Sequence, residues 1–379
     1  MNSARKLLAT AVLAALSAPA FAGVTIDVIG GSEISFEGLL QADGNWFDND
    51  VVDLNGAGLS NGDDTEFELR RAELIFKGKG PGMWSWVVGY DAKADKFLDT
   101  NIAYRFSANT TLTVGQYKQP NSMEELSSTK NNDFISKAMA TNTFAVSRRL
   151  GAQLSTGDSN WGLTGSVFGR ELTDGAEGDG FGVRGYFSPI NGKGELLHFG
   201  LSAVDLDVNG DVARLRTRPQ ADLATVRLSD TGSLANADRQ RTYGLEAAWV
   251  NGPFKLQSEY MRSTISRDGG FSDFTGDSWY VSGMWNVTGE TWGYKGGVIT
   301  TGGPSEPASG MWQLGLRYDS IDLNDGSVLG GEMDSWTVGA NWYLRSNFRL
   351  AVNYVMVDSN RQGVNDEPNI LEARASFFW

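Results

Sequence analysis

Arginines at regular spacing are the first feature of this sequence that could do chemistry. Arg214, Arg216 and Arg218 are spaced by two, Arg227 lies further along, and Arg70 and Arg71 are adjacent. Alternate residues of an extended segment point to one side, so the three spaced guanidiniums would share a face and repel one another. A guanidinium fork matches phosphate oxygens bidentately, so such a row predicts an anion-binding path. Solvated arginines, or arginines paired with loop acids, are the alternative.

Catalytic groups are sparse. His198 is the only histidine, there is no cysteine, and no Gly-x-Ser-x-Gly element is present. A lone histidine within a strand pattern is usually structural. Asp205–Gly210 matches the first half of an EF-hand loop, but the twelfth position is Arg216 instead of Glu, which favours a simple turn. We therefore predict no catalytic residue, no metal and no cofactor.

Charge and composition exclude further classes. The chain has 46 acidic and 32 basic residues, a formal net charge of −14, which argues against a nucleic-acid partner. An apolar content of 41% excludes a disordered chain.

Residues 1–22 predict a secretory signal peptide, with an N-terminal helix of the fold as the alternative. Arg5 and Lys6 precede the short apolar run 7–16, and Ala20–Ala22 fits a small-x-small cleavage site. Loss of these two cations and of no acid would change the charge from −14 to −16. The mature domain is then expected to span 23–379.

Alternation with a period of two runs along nearly the whole mature chain. In 312–318, for example, the even positions are Trp, Leu, Leu and Tyr, and the odd positions are Gln, Gly and Arg. Alternation indicates strands, and a length of about ten residues suits a tilted strand that crosses a bilayer. Soluble sandwiches usually have strands of roughly five or six residues. We predict an all-β, transmembrane antiparallel β-barrel with its apolar face outward; a soluble β-protein is the alternative.

Seventeen segments alternate in this way. They are 34–45, 65–77, 83–94, 97–107, 110–118, 148–156, 160–170, 180–188, 196–206, 240–250, 253–264, 276–287, 292–301, 310–321, 334–344, 347–357 and 369–379. Both chain ends of such a barrel lie on the periplasmic side, which requires an even number of strands. Because 345–347 looks like a periplasmic turn, the direction of the later strands makes 288–309 a periplasmic excursion. Sixteen strands remain, enough to leave an aqueous lumen.

Two long connections, 119–147 and 207–239, fall on the external side. Loops longer than about 15 residues are usually functional. We expect 119–147 to fold into the lumen as a constriction; an ordinary surface loop is the alternative. Acidic residues crowd three other loops, as solvated charge or as partners for divalent cations that bridge to lipopolysaccharide. They are Asp48, Asp50, Asp53, Asp63, Asp64, Glu66 and Glu68; Glu171, Asp174, Glu177 and Asp179; and Asp322, Asp325, Glu332 and Asp334.

Several segments resemble the phosphate-selective porin O and P family of Gram-negative outer membranes. The segments are 67–76 (FELRRAELIF), 114–120 (VGQYKQP), 215–219 (LRTRP), 277–285, 336–344 and 373–379 (ARASFFW). Their order and spacing carry the resemblance, which covers 36–379. It implies an outer-membrane homotrimer of 16-stranded barrels, with two inward-folded external loops and a periplasmic turn that enters the lumen.

The resemblance also implies site residues. The family's arginine ladder carries over onto Arg70, Arg71, Arg214, Arg216, Arg218 and Arg227. Its central anion site uses an Asp, a Lys and loop hydroxyls, which match Asp91 and the run Ser127, Ser128 and Thr129. Glu125 stands where the family has the binding Lys, and its carboxylate would repel phosphate unless Lys118 or Lys130 substitutes.

Three functions are therefore compared. The first is passive diffusion of phosphate, pyrophosphate and polyphosphate through a trimeric outer-membrane pore without covalent chemistry. The second is a general or cation-preferring porin on the same scaffold, which Glu125 and the acidic loops favour. The third is an outer-membrane hydrolase, which would have to use His198.

Overall fold

The computed structural model describes residues 24–28, 32–56, 64–173 and 175–379. The predicted signal peptide 1–22, and the acidic positions 63 and 174, lie outside these ranges. Within them, sixteen long strands form one antiparallel sheet. They are β1 (Ser32–Asp48), β2 (Thr65–Lys79), β3 (Trp84–Asp91), β4 (Lys96–Arg105), β5 (Thr110–Lys118), β6 (Arg148–Gly157), β7 (Trp161–Phe168), β8 (Gly180–Gly192), β9 (Glu195–Asp207), β10 (Ala237–Asn251), β11 (Phe254–Arg267), β12 (Phe274–Asn286), β13 (Met311–Asp325), β14 (Val328–Leu344), β15 (Phe348–Arg361) and β16 (Asn369–Phe378).

The sheet closes on itself because the first and last strands pair. β1 and β16 run antiparallel from Leu39 opposite Phe378 to Asp48 opposite Asn369. Every other strand pairs with its neighbours in sequence, so the barrel has an up-and-down topology. Closure removes the free edges that would otherwise expose unpaired N–H and C=O groups. The predicted sixteen-stranded barrel is confirmed.

The predicted removal of 288–309 from the wall is also confirmed. β12 pairs directly with β13, from Asp277 opposite Asp322 to Asn286 opposite Gln313. The short strands Trp292–Lys295 and Val298–Thr301 form a separate hairpin. The largest boundary difference is in β14, which begins at Val328 instead of 334. Residues 328–333 lack alternation, and their strand is imposed by pairing with β13 across a tight turn at Gly326.

The barrel wall is apolar on its outer face and polar on its inner face, which is the reverse of a soluble barrel. On β13, the outward Leu316 is 47% exposed, whereas the inward Arg317 is 1% exposed. Outward aromatics form two groups six positions apart on each strand: Trp279, Tyr318 and Trp336 at one level, and Trp285, Trp312 and Trp342 at the other. That separation is about 20 Å along a strand, close to the apolar band of a membrane barrel. No helix of the described ranges is long and apolar enough to cross a membrane.

Three segments fill much of the lumen. Loop A (119–147) contains helices α1 (Met123–Leu126) and α2 (Met139–Phe144) and a 3₁₀ turn at Thr129–Asn131. Loop B (208–236) contains two short ribbons, 212–213 with 234–235 and 216–217 with 229–230. Segment C (287–310) contains the hairpin already described. Both external loops were predicted to be long, and the inward folding of loop A is confirmed.

Apolar side chains from these segments pack on the inner wall of the later strands. One cluster joins Phe144 of loop A and Leu215 and Leu223 of loop B to the wall residues Ile321 and Val355. A second joins Met123 and Phe134 of loop A to Trp292 and Ile299 of segment C. Such burial is worth about 25 cal/mol for each Å² of apolar surface, which fixes the inward folds.

Loop A approaches the wall most closely at two paired glycines. Gly315 and Gly339 lie opposite each other on β13 and β14. A Cβ atom on either glycine would come within 3.1 Å of the Phe134 ring. The missing side chains therefore form the hollow that receives this ring.

The filling is asymmetric, and open space remains beside β1–β4. A cavity of about 430 Å³ is lined there by inward groups that include Lys77, Ser85 and Asn101. A second, of about 400 Å³, follows at the periplasmic mouth beside Lys79 and Arg105. Open space in the described part of the barrel therefore adjoins the early strands, away from the packed loops.

The outward apolar face generates the first prediction. Leu316→Arg should lower the free energy of unfolding by ~2–4 kcal/mol, because the new charge would lie near the middle of the apolar band. Urea titration of protein refolded in phospholipid vesicles measures this change. The matched Leu172→Arg, in an exposed external connection, should have little effect; equal effects at both positions would contradict the lipid-facing assignment.

Candidate functional site

The adjacent arginines Arg70 and Arg71 both face the lumen, which a regular strand would not allow. The pairing of β1 with β2 skips Arg70, so Arg70 is the extra residue of a β-bulge. Exposed apolar side chains switch from odd positions before the bulge to even positions after it. Arg70 Nη2 consequently lies 3.3 Å from Asp222 of loop B, and Arg71 Nη1 lies 3.4 Å from Glu73.

Loop B presents Arg214, Arg216 and Arg218 on one face, as their spacing predicts. The two short ribbons keep this part of the loop extended. The intervening positions 213, 215 and 217 are buried, whereas Arg214 and Arg216 are exposed and Arg218 is half-buried. The apolar residues of the loop thus fix the direction of its guanidiniums.

The three arginines differ in their partners. Arg214 donates from Nε to Asp230 Oδ1 at 2.8 Å and from Nη2 to the other oxygen, and these bonds raise the pKa of Arg214. Arg218 donates from Nε to the carbonyl oxygen of Ala224 at 2.6 Å. In the part of the chain that the structure describes, the side chain of Arg216 makes no hydrogen bond and no ion pair. Its fork is free for an external anion.

Arg227 lies beside these arginines without a carboxylate of its own. Its Nη1 is buried and has no hydrogen-bond partner among the described residues. Burial, together with repulsion from Arg218 and Arg216, lowers the pKa of Arg227 to about 10. The group is still protonated at neutral pH, and an anion among the three cations would relieve both the repulsion and the missing hydrogen bond.

Loop A is held across the lumen by polar groups of the wall. Glu259 on β11 accepts the backbone N–H groups of Met123 and Glu124 at 3.0 and 2.8 Å. On other strands, Arg317 donates to the carbonyl of Ser136 at 2.9 Å, and Arg374 donates to that of Ile135 at 2.8 Å. These bonds satisfy loop backbone that packing has removed from water.

The anchoring cations of the wall were absent from the predicted site. They are Arg184, Lys255, Arg317, Arg349 and Arg374, all buried. Each has a carboxylate or carbonyl partner, such as Asp43 for Arg374 and Asp133 for Lys255. The sequence does carry a signal for them, because each is a basic residue at a lumen-facing position of a strand. The prediction used clustered arginines and so did not include these single basic residues.

Glu125, the position where the resemblance expects a lysine, is surrounded by cations. Lys137 Nζ forms an ion pair with its carboxylate, and Ser147 Oγ donates to Oε1 at 3.0 Å. Burial opposes ionisation, but the charges of Lys137 and Lys118 lower the pKa of Glu125 to about 2. Lys118 itself donates to the carbonyl oxygens of Glu125 and Ser127, at 2.5 and 2.9 Å. The negative charge is therefore compensated locally, chiefly by Lys137, which sequence reasoning missed.

The predicted loop residues Ser127, Ser128 and Lys130 differ in their exposure to solvent. Ser127 is buried and its hydroxyl donates to the carbonyl of Ile299 in segment C at 3.3 Å. Ser128 and Lys130 are exposed at the 3₁₀ turn. Ser128 and Lys130 are thus accessible to solvent, and Lys130 lines a cavity beside the periplasmic turn at Arg345, whereas Ser127 joins two lumenal segments.

Asp91 lies at the end of β3 and caps the turn to β4. Its Oδ1 accepts the backbone N–H groups of Ala72 and Lys93 at 3.0 Å, and that of Ala94 at 3.4 Å. Asp91 lies opposite Glu73, the partner of Arg71. The structure therefore places it beside the strand arginines, with its carboxylate already engaged by backbone.

His198 is fully buried within the wall and segment C. Its ring contacts the Tyr294 hydroxyl at 2.7 Å and Glu246 at 3.3 Å, and Glu246 is paired with Arg184. The Ser188 hydroxyl, which donates to Tyr294 at 2.6 Å, is equally buried. This network joins the hairpin of segment C to the barrel, which is a structural role for His198.

Comparisons with known proteins match this geometry. Residues 40–379 match the family model described as phosphate-selective porin O and P. Porin O of Pseudomonas aeruginosa is 24% identical over 417 aligned positions, which cover 93% of each protein. An uncharacterised protein of Caulobacter vibrioides is 31% identical over 317 residues, and the match spans 77% of this chain but only 62% of that longer relative.

Solved porin structures share the fold. OmpT of Vibrio cholerae superimposes with a TM-score of 0.62 at 9% identity, over 94% of this chain and 100% of that one. An anion-selective porin from Comamonas acidovorans gives a TM-score of 0.57 at 14% identity, over 92% and 100% of the two chains.

The cation-compensated carboxylate of Glu125 generates a pH prediction. A carboxylate with a lowered folded-state pKa stabilises the fold above its unfolded pKa and loses that contribution as the pH falls. Wild type should exceed Glu125→Gln in unfolding free energy by up to ~3 kcal/mol at pH 6, and the difference should narrow between pH 4.5 and 2.

Urea titrations in vesicles at several pH values test this. Glu367→Gln, on the exposed outer rim, is the matched control and should follow wild type throughout. A stability difference for Glu125→Gln that stayed constant down to pH 2 would show that the ion pair is not its source.

Proposed function

The chain belongs to the phosphate-selective porin O and P family, and from this membership we propose that phosphate, pyrophosphate and polyphosphate diffuse through its lumen along the arginines. The protein is a porin of the Gram-negative outer membrane. The family and the fold point to a channel rather than to an enzyme. The proposed solute path joins Arg216, Arg227 and Arg218 of loop B to Arg70 and Arg71 of β2.

The observation that carries this proposal is the shortage of carboxylates beside the loop B arginines. Arg216 has no ion-pair partner among the described residues, and the buried Nη1 of Arg227 has no hydrogen bond. Guanidiniums that repel one another are costly to keep together unless an anion enters between them. A doubly charged phosphate can present a separate pair of oxygens to each of two forks, whereas chloride is a single, singly charged atom.

The acidic total charge is compatible with an anion path. Selectivity depends on the field at the narrow part of the pore rather than on the summed charge. The acidic clusters lie in the external loops and at the adjoining strand ends, where water and salt screen charges beyond about 10 Å. Glu68, the member nearest the path, lies 4.0 Å from Arg70. The carboxylate of Glu125, whose charge alone would repel phosphate, is compensated by Lys137 and Lys118. Lys118, Ser128 and Lys130 are proposed to assist at loop A.

A general or cation-preferring porin is the second candidate. The external acids Asp48, Asp50 and Asp64 favour it, because they would concentrate cations at the entrance. Reversal potential in a salt gradient across a planar bilayer separates the two candidates. Anion preference supports the phosphate path, and cation preference would reject it.

Arg216→Ala is the direct test of the path. Removing the unpaired fork should raise the phosphate concentration that half-blocks chloride current by roughly tenfold, the loss of ~1.5 kcal/mol for one charge-assisted hydrogen bond. Single-channel current in chloride with added phosphate provides the measurement.

Lys193→Ala is the control for this test, because it removes the same charge from an exposed periplasmic turn. It should leave the block unchanged. If Arg216→Ala behaved like Lys193→Ala, loop B would not belong to the anion path.

Assembly is part of the same proposal. The outward apolar belt is proposed to contact outer-membrane lipid, and the acidic external loops to bind lipopolysaccharide through divalent cations.

We also propose a homotrimer. The trimeric form of Vibrio cholerae OmpT, a protein of similar fold, supports this proposal. The full chain has a mass of 41.0 kDa, and removal of the signal peptide lowers the mass of each monomer. We expect unheated samples to migrate in SDS gels at three times the mass of this mature monomer. Migration as a monomer, confirmed by light scattering in mild detergent, would contradict it.

A further inference from the structure

Asp222 of loop B lies where the loop B arginines of the proposed path meet the arginines of β2. Its Oδ2 lies 3.3 Å from Arg70 Nη2 and 3.5 Å from Arg374 Nη2. Arg71 and Arg218 are also within electrostatic range of this carboxylate. Asp222 therefore lies between the loop B arginines and the bulged pair of β2.

Two of these arginines already have a nearer acid. Asp43 binds Arg374 through both oxygens, at 2.7 and 2.6 Å, and Glu73 lies 3.4 Å from Arg71. Among the described residues, Arg70 otherwise has only Glu68, at 4.0 Å, and Arg218 donates to a backbone carbonyl. Asp222 is consequently the nearer counter-ion of Arg70, and it faces Arg218 together with Glu68.

Apolar neighbours fix the position of Asp222. Ala221, Leu223 and Ala224 are buried in the cluster that joins loop B to loop A and the wall. The turn is closed by a hydrogen bond from Ala224 N–H to Ala221 C=O at 3.2 Å. These contacts hold the turn without the ion pair between Arg70 and Asp222, so a solute can exchange with this carboxylate while the loop stays folded.

We propose that Asp222 is a specificity-determining residue of the channel: a built-in carboxylate that competes with the passing phosphate-type anion for Arg70 and its neighbours. This proposal rests on the proposed function of the arginines as the anion path. When an anion moves from Arg218 to Arg70, its oxygens replace the carboxylate oxygens of Asp222 as the acceptors of the Arg70 guanidinium.

Such competition solves a general problem of selective channels. A solute must bind well enough to enter and weakly enough to leave. Several converging guanidiniums without an acid would hold a dianion for a long time. Asp222 occupies the donors of Arg70 while no solute is present and returns to them when the solute leaves, so it lowers affinity and shortens residence.

The experiment measures block of single-channel chloride current by inorganic phosphate. Asp222→Asn keeps the shape and removes the charge, so the half-blocking phosphate concentration should fall roughly tenfold, the equivalent of ~1.4 kcal/mol. Individual blocking events should also last longer. Asp222→Glu restores the carboxylate and should resemble wild type.

Asp205→Asn is the matched control. Asp205 also lies between two arginines, Arg239 and Arg241, but on the outward face near the external rim. It should leave the block unchanged. Heat-dependent mobility in SDS gels confirms that each variant is folded. Asp222→Ser repeats the measurement if the Asn variant does not assemble.

The outcomes separate this inference from the proposed function. Wild type blocked by phosphate, with Asp222→Asn blocked equally or more weakly, overturns the role of Asp222 and leaves the channel assignment intact. Failure of both the Asn and the Ser variant to assemble shows that Asp222 is structural and likewise overturns it. Wild type indifferent to phosphate overturns the proposed function, and this inference with it.

Discussion

Lipid offers the backbone no hydrogen-bonding partner, and the rest of this structure depends on that constraint. Every N–H and C=O group of a spanning strand must find its partner in a neighbouring strand, so the sheet has to close. Closure from β16 to β1 leaves a wide lumen, because sixteen strands are too many for their own side chains to fill. The pore is thus a consequence of satisfying the backbone.

The wide lumen is then narrowed by three inserted segments, whose own backbone must be satisfied in turn. The wall supplies these partners as charged side chains: Glu259 for amides, and Arg317 and Arg374 for carbonyls. These cations are buried and balanced by carboxylates such as Asp319 and Asp43. Wall arginines therefore hold the inserted segments in place, whereas Arg216 of loop B is exposed and its side chain has no partner among the described residues.

Electrostatic balance thus differs between two kinds of lumenal charge. A buried ion must be paired, since removal from water costs several kcal/mol even after relaxation. Glu125 meets this condition through Lys137 and Lys118, which explains why an acid is tolerated beside the proposed anion path. Arg227, whose Nη1 is buried, does not meet it within the described chain, and the side chain of Arg216 is exposed without a partner there. That difference distinguishes a candidate binding group from a structural one.

The sequence alone determined the fold class, the sixteen strands, the exclusion of 288–309 from the wall and the common face of Arg214, Arg216 and Arg218. Each follows from a local period of two or from the even strand count that an antiparallel barrel requires. Tertiary structure decided the rest. The inward direction of both Arg70 and Arg71 depends on a bulge, and the compensation of Glu125 by Lys137 depends on how loop A folds. The place of Asp222 depends on packing between loop B and the wall. Alternation records which face a residue takes on its own strand, but it cannot record which distant side chain closure and loop packing will bring opposite it.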